Sequence, residues 1–298
     1  MYRLKSTIAH YGCVLALACA AALPVTAKVE PTFTPINFPG AIFTSANDIN
    51  SGGDIVGVYR SADGKFHGYL LSDGTFTPIN VPGAKDTRAF GVNSDGYIVG
   101  QYTDASNVIH GYLLSNGNFS TIDVLGAIRT DAWGINSRSD IAGSYTDASG
   151  KDRPYTLSSG NFTTLDPPFD FTASLVHSIT PDGSEIVGCY FDIDNVMHSL
   201  LISNGSFLNT DFPGSMMSMN WRINPAGKMV GHYTDADGKN HGYALSKGVF
   251  TSIDFPGALQ TFTRGINAAG DIVGQYQSSD LKQHGFLLSK PEDTEEGD

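Results

Sequence analysis

Between Arg88 and Val124, apolar and polar residues alternate in four short runs, "RAFGVN", "YIVGQY", "HGYLLS" and "FSTIDV". A period of two over so few residues predicts half-buried β-strands rather than helices. Turn residues interrupt the pattern where hairpins need them. Asp95-Gly96 separates the first two runs and Asn116-Gly117 the last two, dipeptides that supply the positive φ angles of a type I′ turn. The middle joint, "TDASNV", is longer. The whole pattern then recurs. Runs of the form F-[TSL]-x-x-[ND] begin at Phe33, Phe76, Phe119, Phe162, Phe207 and Phe250, 43 residues apart except for one step of 45. The glycine of "IVG" and its variants keeps the same step, at Gly57, Gly100, Gly143, Gly188, Gly231 and Gly274.

Four short strands per repeat, at this period, predict a β-propeller. The two ends of the chain bear on how it closes. A lone fourth strand, "FTPIN", opens at Phe33, and the last repeat stops after its third strand, "HGFLLS", at His284. The N-terminal strand is therefore expected to complete the last blade and remove the open sheet edges that invite aggregation. The expected fold is all-β, a six-bladed propeller of four-stranded antiparallel blades over residues 33–290. The rival arrangement, two tandem trefoils of three repeats, would need a linker between Asn161 and Phe162, and none is present.

Units built from "GDIVG", "HGYLL", "NG" and "FTSIDFPGA" resemble the HAF family of extracellular repeat proteins, from Phe33 to about Lys290. The family's triplet of His, a small residue and an aromatic stands here as His67-Gly68-Tyr69, His110-Gly111-Tyr112, His241-Gly242-Tyr243 and His284-Gly285-Phe286. Repeat three departs with Arg153-Pro154-Tyr155 and repeat four with His198-Ser199-Leu200. The resemblance implies an exported bacterial propeller. It carries over no catalytic residue, because the family is defined by its repeat.

Composition narrows the setting. Arg3 and Lys5, the apolar run "CVLALACAAALPV" and the small residues Val25-Thr26-Ala27 have the layout of a secretory signal over residues 1–27. That run is too short for a stable membrane anchor, so no membrane span is expected. A short linker, 28–32, and an acidic tail, 291–298, would flank the propeller. Net charge is −12, which disfavours binding to nucleic-acid phosphates. Loss of the signal would leave Cys189 as the sole cysteine, so no internal disulfide is expected. The reading is a secreted protein, periplasmic or extracellular, and a monomer.

Repeated residues read as structure. The triplet histidines, the Asn closing each "IN" (Asn50, Asn93, Asn136, Asn224, Asn267), and the fourth-strand Asp123, Asp166, Asp211 and Asp254 recur because a turn recurs. Asp192-Ile193-Asp194-Asn195 and Asp235-Ala236-Asp237-Gly238 have calcium-like spacing but lack the EF-hand glycine and glutamate. Calcium is thus a minor alternative to the expectation of no cofactor and no metal.

Function is sought where the copies disagree. Three positions before the last residue of "IN" stand Asn47, Phe90, Trp133, His177, Trp221 and Arg264; two positions earlier stand Ser45, Arg88, Asp131, Leu175, Met219 and Phe262. A two-residue first turn would set Phe90 opposite Gln101, Trp133 opposite Ser144, Trp221 opposite His232 and Arg264 opposite Gln275, with His177 near Cys189. Phe90, Trp133, His177, Trp221, Arg264, Arg88, Asp131 and His232 are the candidate ligand-binding residues, at a central mouth suited to a carbohydrate or another extracellular ligand. Packing between blades is the competing account of the same column. No catalytic motif is present, but a hydrolase or lyase using Asp131, His177 and His232 at that rim, a Cys189–His177 nucleophile, and a protein-interaction scaffold stay open.

Overall fold

The computed structural model describes residues 31–289, and among them every regular element is a strand, 24 in all. The expected signal segment, most of the linker and the acidic tail lie outside the described residues. Repeats one to five each supply four antiparallel strands; in repeat two they are Asp86–Val92, Ile98–Thr103, Ile109–Ser115 and Asn118–Ile122. Repeats two to five form four separate four-stranded sheets. These are the blades of a β-propeller.

The other eight strands form one sheet. It holds repeat one, the three strands of repeat six, and the N-terminal strand Thr32–Ile36. That strand pairs antiparallel with Gln283–Ser289, setting Phe33 opposite Leu288 and Ile36 opposite Gly285. The two halves of the sheet join through a single parallel pair, Phe43 with Gln283. The first strands of the repeats run Phe43–Ile49, Asp86–Val92, Arg129–Ile135, Ala173–Ile179, Met217–Ile223 and Gln260–Ile266. Each touches the next, and the last touches the first, so these six strands close a ring.

The core lies in the seams between repeats. One cluster joins Val56 and Ile79 of repeat one to Ala89, Ile98 and Tyr112 of repeat two. Its counterpart joins Val273 of repeat six to Ala46, Ile55 and Tyr69 of repeat one across the seam where the ring closes. Burying an aliphatic side chain of this size contributes about 1.5–3 kcal/mol, so a repeat detached from its neighbours would lose most of its apolar burial. The fixed glycine has a steric cause. A Cβ on Gly57 would stand 2.0 Å from the Ser45 carbonyl oxygen and 2.6 Å from the Tyr69 ring. Tyr69 itself is fully buried, and its hydroxyl donates to Ser45 O at 3.1 Å.

Two local expectations need correction. Asn116-Gly117 does adopt two successive positive φ angles, 50° and 76°, as a type I′ turn requires. Asp95-Gly96 does not, because only Gly96 is left-handed. Asn93 closes that hairpin instead, its Oδ1 accepting from Asp95 N at 3.1 Å and Tyr97 N at 2.9 Å. The loop is therefore longer than two residues and the expected pairing shifts. Gln101 opposes Arg88, Ser144 opposes Asp131, His232 opposes Met219, Gln275 opposes Phe262 and Cys189 opposes Leu175.

Candidate functional site

Every first strand carries a β-bulge at the same place, between Ala46 and Asp48, Ala89 and Gly91, Ala132 and Gly134, Val176 and Ser178, Asn220 and Arg222, and Thr263 and Gly265. The residues skipped by the ladder are Asn47, Phe90, Trp133, His177, Trp221 and Arg264. The variable column is thus the bulge column. A bulge frees one residue from the pleat and re-aims its side chain, and six of them in a ring send six side chains to one place.

They meet there. Phe90 stacks on Trp133 with ring centroids 4.3 Å apart, Trp133 meets Trp221 edge-on at 6.0 Å, and His177 lies 4.3 Å from Trp221. The Arg264 guanidinium covers the other side of this cluster, 4.5 Å from the Trp221 ring. Both indoles are anchored at their polar ends, Trp133 Nε1 to Ser144 Oγ at 2.9 Å and Trp221 Nε1 to His232 Nδ1 at 3.0 Å. A cavity of about 280 Å³ opens beside them, walled by Asn47, Phe90, Trp133, Trp221, Arg264, Arg88, Phe43, Phe66 and Gln275 among others.

Five of the eight residues expected at the mouth, Phe90, Trp133, Trp221, Arg264 and Arg88, line this cavity. The other three stand behind it. His177 is 2% exposed, packs against both tryptophans, and places Nδ1 3.0 Å from Asn220 O. His232 is buried as the acceptor for Trp221. Burial, with the field of Arg264 and other cations, pushes both imidazoles down to about 3, so they are neutral at physiological pH. Asp131 turns to its own strand and forms a bidentate pair with Arg129 at 2.7 and 3.0 Å. Burial still raises its pKa against that pairing.

The floor of the site was not anticipated. Arg222, buried at 5% exposure, extends along the centre of the ring. Its guanidinium donates to the carbonyls of Phe90, Trp133, His177 and Trp221, and its Nε lies 3.1 Å from Asp48 Oδ1. One side chain therefore touches five of the six first strands. Its column reads Asp48, Gly91, Gly134, Ser178, Arg222 and Gly265. A Cβ on Gly134 would fall 2.4 Å from His177 O, and one on Gly265 2.7 Å from Asp48 Cα. The centre has room for one long side chain and its counter-ion, which is why the other copies are small. Two opposite charges interrupting a glycine column were the available signal. Beyond Arg222 and Asp48 a second cavity of about 320 Å³ opens on the other face, walled by Asn50, Asn93, Asn136, Asn224 and Asn267.

The triplet histidines and the fourth-strand aspartates stand away from both mouths. His110 Nδ1 sits 2.9 Å from Asp123 and its ring stacks on Tyr102; His198 and His241 do the same with Asp211 and Tyr190, and with Asp254 and Tyr233. Arg153 takes the histidine's place in repeat three and pairs with Asp147 and Asp166. Each calcium-like loop spends its first carboxylate on its own closure. Asp235 accepts from Asp237 N and Lys239 N, and Asp192 from Asp194 N and Val196 N. Among the described residues no three His, Cys, Asp or Glu side chains gather as metal ligands would. Cys189 is fully buried, and burial pushes its thiol up to about 12, which leaves no thiolate for nucleophilic attack.

No family model matches the chain, and no curated protein matches it. Solved structures do. AofleA from Arthrobotrys oligospora is 11% identical with a TM-score of 0.57, the match covering 87% of each chain. A fucose-specific lectin from Aleuria aurantia is 14% identical with a TM-score of 0.53, over 87% of this chain and 95% of the lectin. TolB from Acinetobacter baumannii is 14% identical with a TM-score of 0.56, over 80% of this chain and 64% of TolB. At such identities the likeness establishes the propeller fold alone. Among the described residues no helix is long and apolar enough to cross a membrane.

Proposed function

We propose that this chain is an exported, monomeric binding module of HAF type that holds a carbohydrate in the mouth framed by Phe90, Trp133, Trp221, Arg88 and Arg264. On this reading the eight-stranded sheet is two blades joined at the Phe43–Gln283 pair, giving six in all, with Thr32–Ile36 completing the sixth. The observation that carries the reading is the bulge column: six equivalent residues are aimed at one centre, and they differ from copy to copy. Indole and phenyl faces beside amide and guanidinium donors suit a sugar ring, with its apolar face and polar edges. The sugar-binding propellers among the structural neighbours favour this ligand class. The hydrolase or lyase reading is weaker, because Asp131, His177 and His232 all stand behind the wall of the cavity.

Trp133 and Trp221 are the only tryptophans in the chain, so intrinsic fluorescence reports on this site alone. A glycan array on the mature protein, followed by fluorescence titration of each hit, tests the proposal. The expected result is a saturable change in tryptophan emission. Trp133→Ala or Trp221→Ala should weaken sugar binding at least several-fold in protein that remains folded. Sugar binding that leaves tryptophan emission unchanged and survives both substitutions would place the ligand elsewhere and defeat the reading.

A further inference from the structure

Resting on that reading, we infer that the ligand is acidic: a saccharide whose carboxylate or sulfate group is held by Arg264. The chain as a whole carries net charge −12. The residues walling the 280 Å³ cavity nevertheless include two arginines and no aspartate or glutamate. The charge of this mouth runs against that of the protein around it.

The two central arginines differ in what surrounds them. The two amino nitrogens of Arg222 donate to four carbonyls, and its Nε, though without a hydrogen bond, lies 3.1 Å from the Asp48 carboxylate. Arg264 forms no hydrogen bond or ion pair with any described residue. Its Nε is enclosed and unpartnered, and its guanidinium lies against the face of Trp221. A guanidinium has five N–H donors and no acceptor, and withdrawing it from water without a carboxylate is costly. The nearest carboxylate on the axis, Asp48, is already paired with Arg222. Burial and repulsion by Arg222 pull Arg264 down to about 10, which leaves it cationic at neutral pH.

Arg88 repeats the pattern at the outer part of the wall. Its guanidinium lies 4.2 Å from the Phe66 ring; Asp86 and Asp131 are near enough to act on its charge, but neither forms a hydrogen bond or close ion pair with it. Both cations are thus positioned by aromatic faces, which hold a planar guanidinium in place while leaving its edge donors to a ligand. An anionic group entering the cavity would supply the acceptor that the fold does not, and the fork of Arg264 matches a carboxylate or sulfate edge. The aromatic walls would receive the rest of the sugar.

The test uses three matched pairs of methyl glycosides, glucose and glucuronate, galactose and galacturonate, mannose and mannuronate, with the 6-sulfated glucoside as a further arm. Tryptophan fluorescence is followed in the mature protein. At least one acidic member should bind tenfold or more tightly than its neutral partner in low salt, and that advantage should shrink as sodium chloride is raised. Preference for the uronates over the sulfate ester, or the reverse, identifies the anion. Arg264→Gln should abolish the advantage and Arg264→Lys should keep part of it. If Arg264→Gln does not fold, Arg88→Gln and the salt series on the wild-type protein decide. Neutral glycosides binding as well as the acidic ones, or an advantage untouched by Arg264→Gln, overturns the inference and leaves the carbohydrate reading intact. No fluorescence response to any glycoside defeats both.

Discussion

The six inner strands present different ends to the two faces of the propeller. At one end nearly every repeat places the same residue, asparagine. At the other the bulges present Asn47, Phe90, Trp133, His177, Trp221 and Arg264. The asparagines each solve a local problem. The Oδ1 of Asn50, Asn93, Asn136, Asn224 and Asn267 accepts from amides of its own turn. The Nδ2 of the first four reaches a carbonyl of the next repeat, as from Asn50 to Asn93 and from Asn93 to Asn136, both at 3.2 Å. Every repeat has such a turn and such a neighbour, so every repeat can use the same answer. The bulge residues share one space, and six copies of any large side chain could not occupy it. A repeated residue in a ring marks a need that each unit has separately, and an unrepeated one marks a place that all units share.

The largest effect is expected where that shared space is deepest. Arg222→Met should destabilise the fold by about 3–5 kcal/mol, because it strands the buried Asp48 carboxylate. Asp48→Asn combined with Arg222→Met should recover much of the loss. Denaturant unfolding of the two single mutants and the double mutant measures it. A double mutant no better than Arg222→Met would mean that the carbonyl contacts, rather than the ion pair, hold the axis together.

Acid should act on the bulge end next. His177 and His232 are held neutral with pKa values near 3, against about 6.5 in an unfolded chain. Between those values the unfolded state binds more protons, so stability is complete above pH 6.5 and falls as pH is lowered toward 3. Each imidazole costs about 1.4 kcal/mol for every pH unit below 6.5, so the pair should cost on the order of 3 kcal/mol by pH 5.5. Thermal unfolding from pH 7 to 4, beside NMR titration of the two imidazoles, checks it; imidazoles that titrate near 6 would contradict their enclosure.

The asparagine end should give the smallest change. Asn93→Ala removes one inter-repeat hydrogen bond and the acceptor for two turn amides, at a cost of about 1–3 kcal/mol. Ligand affinity, measured by tryptophan fluorescence, should stay the same, since Asn93 lines the opposite mouth. A fall in affinity comparable to that of a bulge mutant would erase the distinction between the two ends.

Much of the frame was legible before any coordinates. Strand positions in repeat two fall within two residues of the alternating runs, and pairing of Thr32–Ile36 with Gln283–Ser289 follows from unmatched strands at the two ends. Both are local or periodic properties, and period is what a sequence displays directly. The bulge was not legible, because it adds no residue to the count and changes only which residue faces which. Together with the longer first loop it moved the partner of Ser144 from Trp133 to Asp131, although the indole still reaches the serine hydroxyl.

Asp48 and Arg222 mark the boundary between what each level decides. Along the chain they stand far apart, in a column whose other members are glycine or serine, and nothing local relates one to the other. The sequence by itself determined that six similar units exist and which of their positions are allowed to differ. Only closure of the ring decided which of those positions meet. It brought Asp48 within 3.1 Å of Arg222, joined five bulge residues into one cluster, and left Arg264 without a carboxylate. Contacts across the axis depend on all six units at once, and an alternation of apolar and polar residues records only the two faces of a single strand.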